Sequence, residues 1–129
     1  MFKKIINIHN KYHSSVIASK KVKNSEVSRY GIIKYSKKIN NNLFISDLVE
    51  KPSLKNTPSN NAIIGRYILP SKIISSLKNT KKGPLGEVQI TDAIKSLIYD
   101  DNKFVGHIFS GTYLDCGTIN GYNNSLKKI

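Results

Sequence analysis

Two apolar runs separated by three consecutive asparagines constrain this fold more than any other stretch. Gly31-Ile32-Ile33-Lys34-Tyr35 and Leu43 to Glu50 are rich in β-branched and aromatic residues, the side chains that suit a pleated, half-buried surface. Between them Lys37 to Asn42 is polar and ends in Asn40-Asn41-Asn42. Asparagine tolerates the left-handed backbone a tight turn needs. The segment therefore predicts two strands joined by a hairpin-like turn. Pro52 stops the second strand, because it has no N–H to give to a ladder. A hairpin in mid-chain argues against a clean doubly wound parallel unit.

The rest of the chain alternates helical and strand patterns. Residues 3 to 13 read as a short helix with Ile5, Ile6 and Ile8 toward a core and lysines elsewhere. Ser15 to Ala18 reads as a buried strand, and Asn24-Ser25-Glu26 as a short turn or helix that Ser25 caps. Ser53 to Asn61 is a loop; Ala62 to Leu69 is a strand broken by Gly65 and ended by Pro70. Ser71 is placed to cap a helix from Lys72 to Lys78. Ile90, Ala93, Ile94, Leu97 and Ile98 keep helical spacing, Val105 to Phe109 is a strand, and Tyr113 to Asp115 is a short extended piece. Thr118 opens a last helix to Ile129. The expected class is α/β with a mixed sheet and flanking helices, in one domain over residues 1–129.

At 129 residues the chain can bury roughly two-thirds of its unfolded surface. Its net charge of +13 raises the question of nucleic acid or an anionic membrane as partner. Only Arg29 and Arg66 are arginines, whereas base readers favour the arginine fork. The lysines are also spread along the whole chain beside abundant Ile and Asn. A solvated lysine surface is the expected reading, with no nucleic-acid and no membrane partner. Cys116 is the sole cysteine, so no internal disulfide forms. The apolar start at Met1 to Ile6 is interrupted by Asn7, His9, Asn10 and Lys11 before a signal core develops. A cytoplasmic location is the expectation.

The candidate functional residues lie at strand ends and turns. Glu50 and Lys51 close a strand, where α/β sheets place ligand-binding groups. A carboxylate there can accept hydrogen bonds from sugar hydroxyls, and the lysine can hold a phosphate. Neighbouring strand residues point to opposite faces, so both serve one ligand only if the chain bends at Pro52. An exposed surface pair is the alternative. Gly31 permits close backbone approach, or simply makes a turn. Asp115, before Cys116-Gly117, suits Mg²⁺, or a turn or cap. Glu87 and Asp92 read as an acidic helix start. His9, His13 and His107 show no ligand or triad spacing, and Cys116 has no activating neighbour. The sequence has no Walker loop, no GxGxxG and no GxSxG.

Four strings then take on meaning through their order: Tyr30-Gly31-Ile32-Ile33, Val49-Glu50-Lys51-Pro52, Gly86 to Ala93, and Asp115-Cys116-Gly117. With Glu26 to Gly31, Pro58-Ser59-Asn60 and Ala62 to Tyr67, the chain from about His9 onward resembles the bacterial UTP–glucose-1-phosphate uridylyltransferases, within the sugar-phosphate nucleotidyltransferases. The resemblance implies the C-terminal, sugar-binding part of a Rossmann-like fold, lacking the N-terminal nucleotide-binding half. It implies transfer between UTP and glucose 1-phosphate to give UDP-glucose and pyrophosphate, with Mg²⁺ as cofactor. By motif, Gly31 contacts the sugar through its backbone, Glu50 binds hydroxyls, and Lys51 binds the phosphate and is the catalytic residue. The strand Ala62 to Tyr67, with Ile64 and Gly65 as substrate-binding residues, lines the sugar pocket, and Asp115 is a metal ligand.

The departures shape the expected state. A glycine-rich triphosphate loop and a second metal aspartate have no counterpart, Pro84 and Leu85 replace small residues, and Ile119 stands where lysine is common. A truncated or split form follows as the expectation. Either a second polypeptide supplies the N-terminal half, or the chain is a non-catalytic remnant or sugar-phosphate-binding module. A homo-oligomer is left open. Loss of half a sheet would strip neighbours from the Ala62 to Leu69 strand and favour aggregation.

Overall fold

The computed structural model describes residues 2–79 and 90–110. Helix α1 (Phe2–Tyr12) leads into strand β1 (Ser15–Lys21), and a 3₁₀ helix (Asn24–Arg29) leads into β2 (Gly31–Ile39). Strands β3 (Asn42–Glu50) and β4 (Asn61–Ile68) follow, then helices α2 (Ile73–Asn79) and α3 (Ile90–Tyr99), and strand β5 (Phe104–Ile108). The mixed sheet expected from the sequence is present. Its β1–β5 pair is parallel, while β1–β4, β2–β3, β2–β4 and β3–β5 are antiparallel. The pairing order β1-β4-β2-β3-β5 closes on itself, because β5 bonds to both β3 and β1. Closure was not legible in the sequence, since it is made by strands far apart in the chain.

Apolar layers cover both faces of the sheet. On one face Ile17, Ile33, Leu43, Leu48 and Phe104 pack with Ile94 and Leu97 of α3. On the other, Val16, Ala18, Ile64 and Val105 pack with Ile5 and Ile8 of α1. This double coverage is why Ser15 to Ser19 is buried at every position instead of alternating. It also explains the compact apolar run in the sequence. In α1, Ile5 and Ile8 are one helical turn apart and buried, while Ile6, expected inward, is exposed. It sits on the far side of a helix that has only one sheet to cover. Ser76 of α2 donates its hydroxyl to the Ala93 carbonyl at 2.9 Å and ties α2 to α3.

The hairpin differs from expectation in its turn. Strand β2 runs on through Lys37 and Lys38, which pair with Phe44 and Leu43, to Ile39 opposite Asn42. Only Asn40 and Asn41 remain as the connection, with Asn40 at φ 53°. A polar sequence did not end the strand because this part of β2 is exposed throughout, so lysines cause no burial penalty. Ser25 makes no cap: the cap position is Lys23, without a side-chain bond. Nor does Gly65 break β4. Ile17 faces Tyr67 and Ser19 faces Ile63, so four steps of β4 oppose two of β1. Gly65 takes up this bulge at φ 77°, a conformation that disfavours a Cβ. Finally, β4 lies between β1 and β2 and is not a stripped edge. The expected piece at Tyr113 to Asp115 and the helix to Ile129 lie outside the described residues.

Candidate functional site

The bend at the end of β3 is made by one residue. Glu50, the last residue of β3, sits in register with Gly31, the first of β2. Beyond it the Lys51 N–H donates to the Tyr30 carbonyl at 2.9 Å, so the pairing holds for one more step. Lys51 itself adopts φ 45°. That left-handed conformation is unusual outside glycine, asparagine and aspartate and carries a cost of about 1–2 kcal/mol. The chain then turns into buried Pro52.

The missing side chain at Gly31 is what opens the site. A Cβ there would stand 3.1 Å from Glu50 Oε2, 3.3 Å from Ile63 Cδ1 and 3.8 Å from Thr91 Oγ1. The Glu50 carboxylate and the Thr91 hydroxyl of α3 therefore both lie close to the bare backbone of Gly31. Around this point is an open cleft of about 270 Å³. Its described lining is Arg29, Tyr30, Gly31, Glu50, Ile63, Ile64, Gly65, Tyr67 and Thr91. This falls just under the roughly 300–1,000 Å³ of drug-sized pockets and suits a small polar ligand. Glu50 offers acceptors, Thr91 a donor and an acceptor, and Arg29 a fixed cation.

The structure brings together most of the residues singled out from the sequence. Gly31, Glu50, Ile64 and Gly65 all line the cleft. Ile64 packs its side chain into the α1-side core, so it offers the cleft backbone. At Gly65 nothing lies within 4 Å of where a Cβ would be, so the bulge faces open space. Lys51 adjoins the cleft through its backbone, but its exposed side chain is not part of the lining. Asp115, Glu87 and Cys116 lie outside the described residues.

Sequence reasoning missed Arg29, Tyr30 and Thr91 as cleft residues, whereas Ile63 and Tyr67 belong to the strand expected to line the pocket. Thr91 looked like part of a helix start, and only tertiary packing of α3 carries its hydroxyl to Gly31. Arg29 did carry a signal, being one of two arginines and two positions from Gly31. Its guanidinium lies 5.9 Å from the centroid of the Tyr30 ring.

The other polar groups are structural. His107 shares a 2.6 Å hydrogen bond between Nδ1 and Asn42 Oδ1, and its ring packs edge-on to Phe109. Burial, and secondarily the charge of Lys4, pushes its pKa below the ordinary histidine value. His9 Nδ1 bonds the Ser14 carbonyl at 2.6 Å. Among the described residues no group of three or more His, Cys, Asp or Glu side chains comes together as a metal cage. No described helix is long and apolar enough to cross a membrane.

Comparison with known proteins agrees with this geometry. The family model for nucleotidyl transferases matches residues 1–129. The UTP--glucose-1-phosphate uridylyltransferase of Pseudomonas aeruginosa is 36% identical over 123 residues, covering 95% of this chain and 43% of that protein. A UDP-glucose pyrophosphorylase crystallised with UDP-glucose superimposes with a TM-score of 0.86 at 37% identity, covering 98% of this chain and 49% of that one. The UTP-bound enzyme of Acinetobacter baumannii gives 0.80 at 32% identity, covering 97% and 42%. The chain thus spans less than half the length of the relatives it matches. With a match over its whole length and a mixed sheet like theirs, this chain belongs to the nucleotidyl transferase family.

Proposed function

We propose that this chain forms the sugar-phosphate side of a UTP–glucose-1-phosphate uridylyltransferase site. The observation that carries the reading is the cleft in which the Glu50 carboxylate and the Thr91 hydroxyl both approach Gly31, with Lys51 next in the chain at a left-handed bend. Glu50 accepts hydrogen bonds from two glucose hydroxyls. The backbone at Gly31, Ile64 and Gly65 forms the wall against which the ring lies. Lys51, exposed beside the cleft, turns its ammonium to the phosphate when the sugar phosphate is bound. An oxygen of that phosphate attacks the α-phosphorus of UTP; the bond to pyrophosphate breaks as the new one forms. The chain's part is to orient the attacking oxygen, which is where such reactions gain most of their rate.

UTP is held, on this reading, by residues outside the 129 considered. The order of the motifs supports reading this span as the sugar-binding side of the site. Mg²⁺ would supply charge neutralisation on the transferring phosphates. Its proposed ligand is Asp115. The described cleft brings a single carboxylate, and one carboxylate without further oxygens does not make a magnesium site.

The test is complementation by halves. The chain is purified and mixed with either the N-terminal or the C-terminal half of the Pseudomonas aeruginosa relative. Pyrophosphate release from UTP and glucose 1-phosphate is then followed. Turnover with the N-terminal half only is the expected result. Turnover with the C-terminal half only would show that the span answers to the opposite end. No turnover with either, together with retained sugar-phosphate binding, would favour a binding module without catalysis.

A further inference from the structure

We infer that Arg29 is a second phosphate-binding residue for the sugar phosphate, and that it sets the preference for a phosphorylated over an uncharged sugar. This rests on the functional reading above and adds a residue to it. Of the described side chains lining the cleft, Arg29 is the cationic one and Glu50 the anionic one. Lys51 is absent from that lining. A sugar phosphate placed with its hydroxyls on Glu50 must direct its phosphate away from that carboxylate, because two anions in one small cleft repel. Arg29 supplies the opposite charge at the mouth.

Its position is held on both sides. Arg29 is the last residue of the 3₁₀ helix, immediately before Tyr30 and Gly31. The Tyr30 carbonyl accepts the Lys51 N–H at 2.9 Å, so the backbones carrying the two cations are joined by a hydrogen bond. The guanidinium lies 5.9 Å from the Tyr30 ring centroid. A guanidinium has five N–H donors in a planar fork, a geometry that matches phosphate oxygens. Lysine cannot reproduce that planar contact. Arg29 thus brings a fork from the cleft side, while Lys51 brings a point charge from just outside the lining.

The experiment measures binding of glucose 1-phosphate and of glucose by the full 129-residue chain. Calorimetry or ligand-detected NMR is used at low and at physiological salt. Arg29→Ala should weaken glucose 1-phosphate binding about tenfold, as expected for loss of a charge-assisted contact. It should leave glucose binding unchanged. Arg29→Lys should recover part of the loss, and added salt should narrow the difference between wild type and Arg29→Ala. Circular dichroism confirms that the variants fold. A folded Arg29→Ala that binds glucose 1-phosphate as tightly as wild type overturns the inference while leaving the functional reading intact. Equal weakening for sugar and sugar phosphate also overturns it, since that marks a structural role. A wild-type chain that binds neither ligand overturns both the inference and the reading beneath it.

Discussion

Replacing Gly31 with alanine is the most direct test of how the cleft works. The added Cβ would lie 3.1 Å from Glu50 Oε2 and 3.3 Å from Ile63 Cδ1. Both are tighter than ordinary van der Waals contact, and both neighbours are side-chain ends that can give way by a few tenths of an ångström. Gly31 has no positive φ, so the backbone accepts alanine. Alanine is also better than glycine in a strand by about 0.5–1 kcal/mol. Overpacking costs about 1–3 kcal/mol where nothing can move, and less here, so the net stability change should stay within about 1 kcal/mol. Binding is different. The methyl group would stand within 4 Å of both the Glu50 carboxylate and the Thr91 hydroxyl, where on the proposed reading the sugar lies. Losing one hydrogen bond to a charged group costs about 1.5–3 kcal/mol, or roughly ten- to hundredfold in affinity. Urea unfolding and calorimetric titration with glucose 1-phosphate, run on the same samples, separate the two effects. Unchanged affinity in a folded variant would refute the claim that Gly31 opens the site. A loss of stability beyond about 4 kcal/mol would show that Gly31 is needed for the fold itself.

Other outcomes follow from the same coordinates. Lys51→Gly should relieve the φ 45° backbone and raise stability by about 1 kcal/mol, whereas Lys51→Ala should not. Both should weaken sugar-phosphate binding by about tenfold, and Lys37→Ala on the exposed strand should not. Gly106→Ala places a Cβ 2.8 Å from Ile33 Cδ1 inside the core and should cost about 1–3 kcal/mol in urea unfolding. His107 has a pKa lowered by burial, so the unfolded chain binds its proton more readily than the folded one. Its contribution is complete above the ordinary histidine pKa and is lost as pH falls through the lowered value. The midpoint of thermal unfolding should drop with acidification over that window, and less steeply in His107→Gln; an identical slope would remove His107 as the cause.

Much of the architecture was legible because local chemistry carried it. The asparagine turn, the i, i+3 pair Ile5 and Ile8, and the helical spacing from Ile90 to Ile98 each announce an element through side-chain period alone. Gly31 and Glu50 were legible as a pair only through motif order, and the hairpin register then placed them opposite one another. The length of β2 was misread, because polar residues do not end a strand that has no burial to satisfy. Closure of the sheet, by contrast, depends on β5 meeting both β1 and β3. Such pairings join residues about sixty or more positions apart, and no short window records them. The cleft belongs to the same class. Arg29 and Tyr30 come from the 3₁₀ helix and its exit, Glu50 from β3, Gly65 and Tyr67 from β4, and Thr91 from α3. The sequence by itself determined which residues could turn, pack or carry charge, since those are properties of side chains and their spacing. Tertiary packing alone brings Thr91 and Glu50 to Gly31 while the Lys51 side chain stays outside the lining, because that depends on how distant segments pack and on one left-handed residue at a strand end.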